Sequence, residues 1–228
     1  MRGRHRPARG LDVECVGGLT LLAEETADGG MLFSVDVADP AGPREVGHLE
    51  GMRLAWRLAA HDGLVYILDR DEYESTGLCG SSGNVWIVDV RDPGRPRKIA
   101  VLDVPAVDVG ATDDRLYALL HGSRDGLEIY DLSDPAAPRL LSSGDYVYGC
   151  RIALAGQRAY VHNYPDPVVS VYDVADPARL ARSTTIAVES GWIPVDLCIR
   201  ASGAEDVGLP TALLVFGSSL PALGYAPF

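Results

Sequence analysis

Lysine is almost missing from this 228-residue chain: Lys98 is alone among 20 basic residues, against 32 acidic ones, and the net charge is −12. A sequence-independent grip on nucleic acid needs clustered lysine and arginine, so this balance disfavours nucleic acid as a partner. Long apolar runs are lacking as well. No stretch reaches 18 uninterrupted apolar residues, so no membrane-spanning helix is expected. The basic opening MRGRHRPARG leads into LDVECVGG, not into the apolar core of a secretory signal. As written, the chain reads as cytoplasmic; as a fragment of a longer precursor it would read as extracellular or cell-surface. Cysteine is sparse, and Cys15, Cys79, Cys150 and Cys198 lie far apart with no CxxC spacing, which favours free thiols over a disulfide framework or a zinc cluster. There is no GxSxG elbow, no HExxH pair and no glycine-rich phosphate loop opening a helix, so no catalytic residue and no cofactor is assigned.

What the chain has in quantity is repetition. Four segments align: LFSVDVADPAGPR from Leu32, VWIVDVRDPGRPR from Val85, LEIYDLSDPAAPR from Leu127 and VSVYDVADPARLA from Val169. Their Asp-Pro pairs begin at Asp39, Asp92, Asp134 and Asp176, spaced 53, 42 and 42 residues apart. The long first interval is accounted for by a polar insertion, RDEYESTGLCGSSG, over residues 70–83. A second motif keeps the same beat: a turn-forming tripeptide, then an alternating apolar run carrying Tyr66, Tyr117 and Tyr160. One repeat therefore holds four short strands joined by Gly, Asp and Pro turns, an antiparallel meander. No window carries the apolar period of an independent helix.

A four-stranded unit cannot bury both faces alone, whereas units stacked radially can. The expected fold is all-β, a β-propeller of four-stranded antiparallel blades with four full repeats and a partial fifth. The blades are expected near residues 11–52, 53–104, 105–147, 148–190 and 191–228, in one domain over 11–228 preceded by a disordered basic segment over 1–10. In each Asp-Pro turn, proline sets the backbone angle and the aspartate accepts amide hydrogen bonds from two residues on. A second proline (Pro43, Pro96, Pro138) starts the outermost strand, where a missing amide is tolerated. The fourth repeat has Leu180 there, which predicts a less well defined outer edge.

The strands SVDV, WIVDV, EIYDL and SVYDV, each followed one residue later by Asp-Pro, resemble the LVIVD-repeat family of propellers. So does the turn-to-strand segment over 156–161. The resemblance covers roughly residues 11–200. It implies a propeller, commonly on surface or secreted proteins, and no shared catalytic residues. The fifth repeat departs from it: WIPVDLCIRASG and TALLVFG are not followed by an IVDV-Asp-Pro strand. An unclosed blade edge of this kind invites self-association or closure by a partner.

Nine residues before the reference tyrosines stand Arg57, Asp108 and Arg151, with Asp12 and Asp196 at the corresponding places in the first and last repeats. Such alternating charge on the innermost strands has two readings. Either the charges pair across neighbouring blades, or Arg57 and Arg151 offer donors to an anionic or zwitterionic ligand at the channel mouth. The same face would carry the 70–83 insertion, the 121–126 and 163–167 loops with His121 and His162, and the connections around Trp56, Tyr146, Tyr148 and Trp192. The tentative ligand-binding set is therefore Arg57, Asp108, Arg151, Asp196, Trp56, Trp192, His121 and His162. Asp36, Asp89, Asp131 and Asp173 recur in every blade, so they read as scaffolding, bonded to an adjacent loop or to the arginine after the turn. The acidic insertion with the residue before it (Asp69, Asp71, Glu72, Glu74, with Cys79) matches no defined metal site, and none is assigned. The leading expectation is a non-enzymatic binding or scaffolding module whose partner is a protein or a small polar ligand. The alternative is a metal-dependent hydrolase or lactonase-like enzyme drawing on His61, His121 and His162.

Overall fold

The computed structural model describes residues 9–16, 18–70, 83–112, 114–121, 126–144, 147–163, 166–188, 193–200 and 212–218; over 9–11, 193–200 and 212–218 only the backbone is described. Expectations for residues 1–8 and 71–82, and for Cys79, Tyr146 and Trp192, lie outside these residues.

The chain is all-β, and every strand pairing among the described residues is antiparallel. The first sheet comprises β1 (Arg9–Val16), β2 (Leu19–Thr26), β3 (Gly29–Asp36) and β4 (Arg44–Met52), in that order. The second comprises β5 (Ala55–His61), β6 (Leu64–Arg70), β7 (Gly83–Asp89) and the first half of β8 (Arg97–Thr112). The second half of β8 opens the third, which continues through β9 (Arg115–Leu120), β10 (Gly126–Asp131) and β11 (Arg139–Ser143), so the second and third sheets are the two halves of one continuous seven-stranded sheet joined at β8. The fourth comprises β12 (Gly149–Ala155), β13 (Arg158–Asn163), β14 (Val168–Asp173) and β15 (Ala181–Ala187). A hairpin of β16 (Ile193–Arg200) and β17 (Ala212–Ser218) follows. The lead strands lie against one another in sequence order: β1 on β5, β5 on β8, β8 on β12, and β12 on β16.

Alternation explains the packing. In β6, Tyr66 and Leu68 point toward the third sheet, while Val65 and Ile67 point back toward the first. Both sets are buried, so an interior sheet is apolar on both faces. Three such layers follow one another. Leu21, Ala23 and Leu32 meet Val65, Ile67 and Val88; Tyr66 and Ile87 meet Leu116 and Ala118; Tyr117 and Ile129 meet Ala159 and Val161. The approach is close even at the outer strands. A Cβ on Gly47 of β4 would run into the carbonyl oxygen of Pro93, in the Asp-Pro turn of the next sheet.

The Asp-Pro turn is built the same way four times. Asp39, Asp92, Asp134 and Asp176 each accept a hydrogen bond from the amide two residues on, at 3.0–3.1 Å. The strand aspartates also cap: Asp36, Asp89, Asp131 and Asp173 accept from the amides of Ala38, Arg91, Ser133 and Ala175 at 2.9–3.0 Å. Three of them additionally take a guanidinium eight residues on: Arg44 at 3.1 Å, Arg97 at 3.0 Å and Arg139 at 2.8 Å. Hydrogen bonding to the charged form holds the Asp36, Asp89 and Asp131 carboxyls below their usual range, Asp131 at about 2.

Two expectations need correcting. The outer edge of the fourth sheet is a full seven-residue strand, β15. Leu180 supports it by packing into the layer between the third and fourth sheets. The cysteines are also not all free. Cys15 is a free, exposed thiol, but Cys150 is disulfide-bonded, and its partner lies outside the described side chains. Cysteine spacing carries no trace of this, because the chain brings distant strands together.

Asp89→Ala removes an amide cap and an arginine partner together, with an expected loss of about 1–2 kcal/mol in urea denaturation. Asp173→Ala should cost less, because Ala181 stands where the other units have their arginine.

Candidate functional site

Each lead strand carries a register irregularity at its charged position: immediately before it in four strands, and around Arg57 itself in β5. The ladder skips between Gly10 and Asp12, Ala55 and Leu58, Ala106 and Asp108, Gly149 and Arg151, and Pro194 and Asp196. A bulge leaves a residue out of the ladder and bends the strand. Here it sets a carboxylate of one sheet against the backbone of the next. Asp12 Oδ2 accepts from the amide of Leu58 at 2.9 Å, and Asp108 Oδ2 accepts from the amide of Ile152 at 2.9 Å. Leu58 and Ile152 are each the residue after the arginine, so the two contacts are the same device used twice. Nothing in an apolar-polar pattern signals the bulges; the nine-residue offset from the tyrosines does mark Arg57, Asp108 and Arg151, which lie in or just after three of them.

The arginines lie among these carboxylates. Arg57 Nη1 stands 3.9 Å from Asp12 Oδ2, with both side chains largely withdrawn from solvent. Its guanidinium also lies 5.8 Å from the centroid of the Trp56 ring. Arg151 is buried and donates from Nη1 to the carbonyl of Cys150 at 2.8 Å. Asp108 is buried as well. Desolvation drives its pKa up to about 7, against the opposing pull of Arg57 and the amide of Ile152. The approach of Arg57 to Asp12 is a charge pairing between sheets, whereas the bond from Arg151 to the Cys150 carbonyl lies within its own strand.

The remaining candidates scatter. Trp56 packs at the edge of the layer between the second and third sheets, with the Arg70 guanidinium 4.4 Å above its ring. Asp69 belongs to the fold: it is buried and accepts from the amides of Arg53 and Leu54 at 2.7 and 3.2 Å. His121 follows β9 and meets Tyr148 edge-on at 4.6 Å. His162 is buried in β13, opposite Arg151 in the register, where β6 and β9 have Leu68 and Leu119. Neither of its ring nitrogens has a hydrogen-bond partner among the described residues, and burial lowers its pKa to about 4. His61 sits at the far end of β5, beside the Asp62–Gly63 turn, at the opposite end of the strands from His121. These three imidazoles do not converge. Asp196 lies on β16 at the position corresponding to Asp12 and Asp108, by backbone register alone.

No family model matches the chain, and no curated protein does. Solved structures do. A functionally unknown protein from Desulfotomaculum acetoxidans superposes with a TM-score of 0.62 at 12% identity, over 83% of this chain and 59% of that one. A proposed 6-phosphogluconolactonase from Bacteroides fragilis superposes with a TM-score of 0.60 at 14% identity, over 83% and 57%. A chain of the mitotic checkpoint complex gives 0.60 at 13% identity, over 85% and 56%. The likeness is one of fold. The chain spans less than three fifths of the length of each.

Two buried groups give stability opposite dependences on pH. Asp108 favours its neutral form, so its contribution is fully present below about 3.8, the ordinary carboxyl value, and is lost as pH rises through about 7. His162 favours its neutral form too, so its contribution is present above about 6.5 and is lost as pH falls toward 4. Melting temperatures measured from pH 4 to 8 should rise on the alkaline side in Asp108→Asn relative to the parent. His162→Leu, which installs the residue of the neighbouring sheets, should flatten the acidic side and raise stability.

Proposed function

We propose that the sheets are blades of an LVIVD-type β-propeller and that the chain acts as a non-enzymatic binding or scaffolding module. Its partner, a protein or a small polar ligand, would dock on the face where the lead strands begin. The observation that carries this reading is how the conspicuous charges are used. Asp12 and Asp108 are committed to backbone amides of the next sheet, and Arg57 and Arg151 lie against a carboxylate and a carbonyl. Groups engaged in this way make a rigid frame; a general acid or base must keep a free site for its proton within reach of substrate. The lead strands, touching in sequence order, supply the support for a propeller, because successive sheets then fan about their innermost strands. Loops on such a frame are where recognition concentrates.

The fold likeness to a proposed 6-phosphogluconolactonase keeps a hydrolase or lactonase-like activity as the second reading. One pair of measurements separates the two. The purified chain, assayed with 6-phosphogluconolactone and analysed for bound metal, should show hydrolysis at the uncatalysed rate and no stoichiometric divalent ion. Turnover that Asp108→Asn or His162→Leu abolishes, or one tightly held divalent ion per chain, would replace the binding module with the enzyme.

A further inference from the structure

We infer that Cys79 closes the disulfide of Cys150, so that the insertion between β6 and β7 is tied covalently to the lead strand of the fourth sheet. The chain has four cysteines. Cys150 is disulfide-bonded and Cys15 is a free thiol, which leaves Cys79 and Cys198 to choose between. Backbone register decides.

Cys150 stands in the bulge of β12, where the ladder skips from Gly149 to Arg151. β16, which lies against β12, skips in the same way from Pro194 to Asp196, so Val195 is the counterpart of Cys150. Cys198 comes three residues later, a displacement of about 10 Å along the strand at about 3.3 Å per residue. The one-residue stagger by which Asp12 reaches Leu58 and Asp108 reaches Ile152 still leaves about 7 Å, before the spacing between the strands is added. A disulfide holds its two Cα atoms only about 4.4–6.8 Å apart. The face is wrong as well. Cys198 stands where the earlier lead strands have Ala59 and Gly110, two residues after the charged position. Those positions belong to the face a sheet turns to the sheet after it: Ala59 lies in the layer with Leu116 and Ala118, and a Cβ on Gly110 would meet Leu154. The fourth sheet comes before β16, on the other side.

Cys79 is within reach. Gly83, four residues after it, pairs with Ala106 of β8. Ala106 is the counterpart of Gly149, since each stands immediately before the skip, and β8 lies against β12. From Gly83 to Cys150 the way is therefore one ladder spacing and one sheet spacing, about 5 Å and about 10 Å. Four residues span up to about 14 Å, and the disulfide itself bridges the remainder. The bond forms when the two thiols give up two protons and two electrons to a small disulfide such as oxidised glutathione, which leaves as two thiols. It encloses the third sheet in a covalent loop of roughly seventy residues, a long loop of the kind whose closure most restricts the unfolded chain. The inference does not depend on the binding-module reading.

Peptide mapping of the wild-type chain tests the pairing without any variant. The protein is equilibrated with a mixture of reduced and oxidised glutathione, its free thiols are alkylated, and it is digested with trypsin without reduction. Cleavage after arginine and lysine puts Cys79 in residues 71–91, Cys150 in 140–151 and Cys198 in 183–200. Mass spectrometry should find 71–91 linked to 140–151, with 183–200 alkylated. In melting experiments, reductant should lower the transition of the parent and of Cys198→Ser alike, and leave that of Cys79→Ser unmoved. A peptide joining 140–151 to 183–200, or an alkylated Cys150 in the equilibrated protein, overturns the inference.

Discussion

A carboxylate of one sheet accepting the backbone amide of the next is the directional contact at two of the junctions, first to second and third to fourth. Asp12 to Leu58 and Asp108 to Ile152 are long-range bonds, spanning 46 and 44 residues, made where the lead strands bulge. Hydrophobic layers alone would hold the sheets together, but apolar contact is non-directional and tolerates sliding. A buried hydrogen bond to a named amide does not tolerate it, because a displaced strand leaves both groups unpaired in a low dielectric. The arginines stand at the positions where the other units have aspartate, Arg57 beside the Asp12 carboxylate and Arg151 bonded to the carbonyl of Cys150.

Around these clamps the sheets are mutually dependent. An interior sheet is apolar on both faces and cannot be stable by itself; its neighbours are its core. The repeat at the outer strands is equally regular, with an aspartate cap, an Asp-Pro turn and an arginine returning to the cap. Where a repeat loses part of this apparatus, packing compensates, as Leu180 does in the fourth sheet.

Much of this was legible in the residues. Recurrence of IVD-type strands and Asp-Pro turns predicts four-stranded antiparallel units, and the fixed offset from the tyrosines picks out Arg57, Asp108 and Arg151, with Asp12 at the corresponding place in the first repeat. What the residues could not say is how those charges are spent. A bulge depends on which partner residue is skipped, and sequence records no partner. The disulfide of Cys150 and the burial of Asp69 were hidden for the same reason, since both depend on strands distant in the chain. His162 was misleading in the other direction. A histidine near a loop suggests a site, yet here it replaces a core leucine and lies buried without a hydrogen-bond partner among the described residues.

The clamp can be read directly from hydrogen exchange at the Ile152 amide. Removing the carboxylate with Asp108→Ala should accelerate exchange at Ile152 by at least about tenfold, the equivalent of losing a hydrogen bond of about 1.4 kcal/mol, while Leu58, held by Asp12, exchanges as in the parent. Unchanged protection at Ile152 in that variant would contradict the account, because the sheets would then be held in order by something other than this bond.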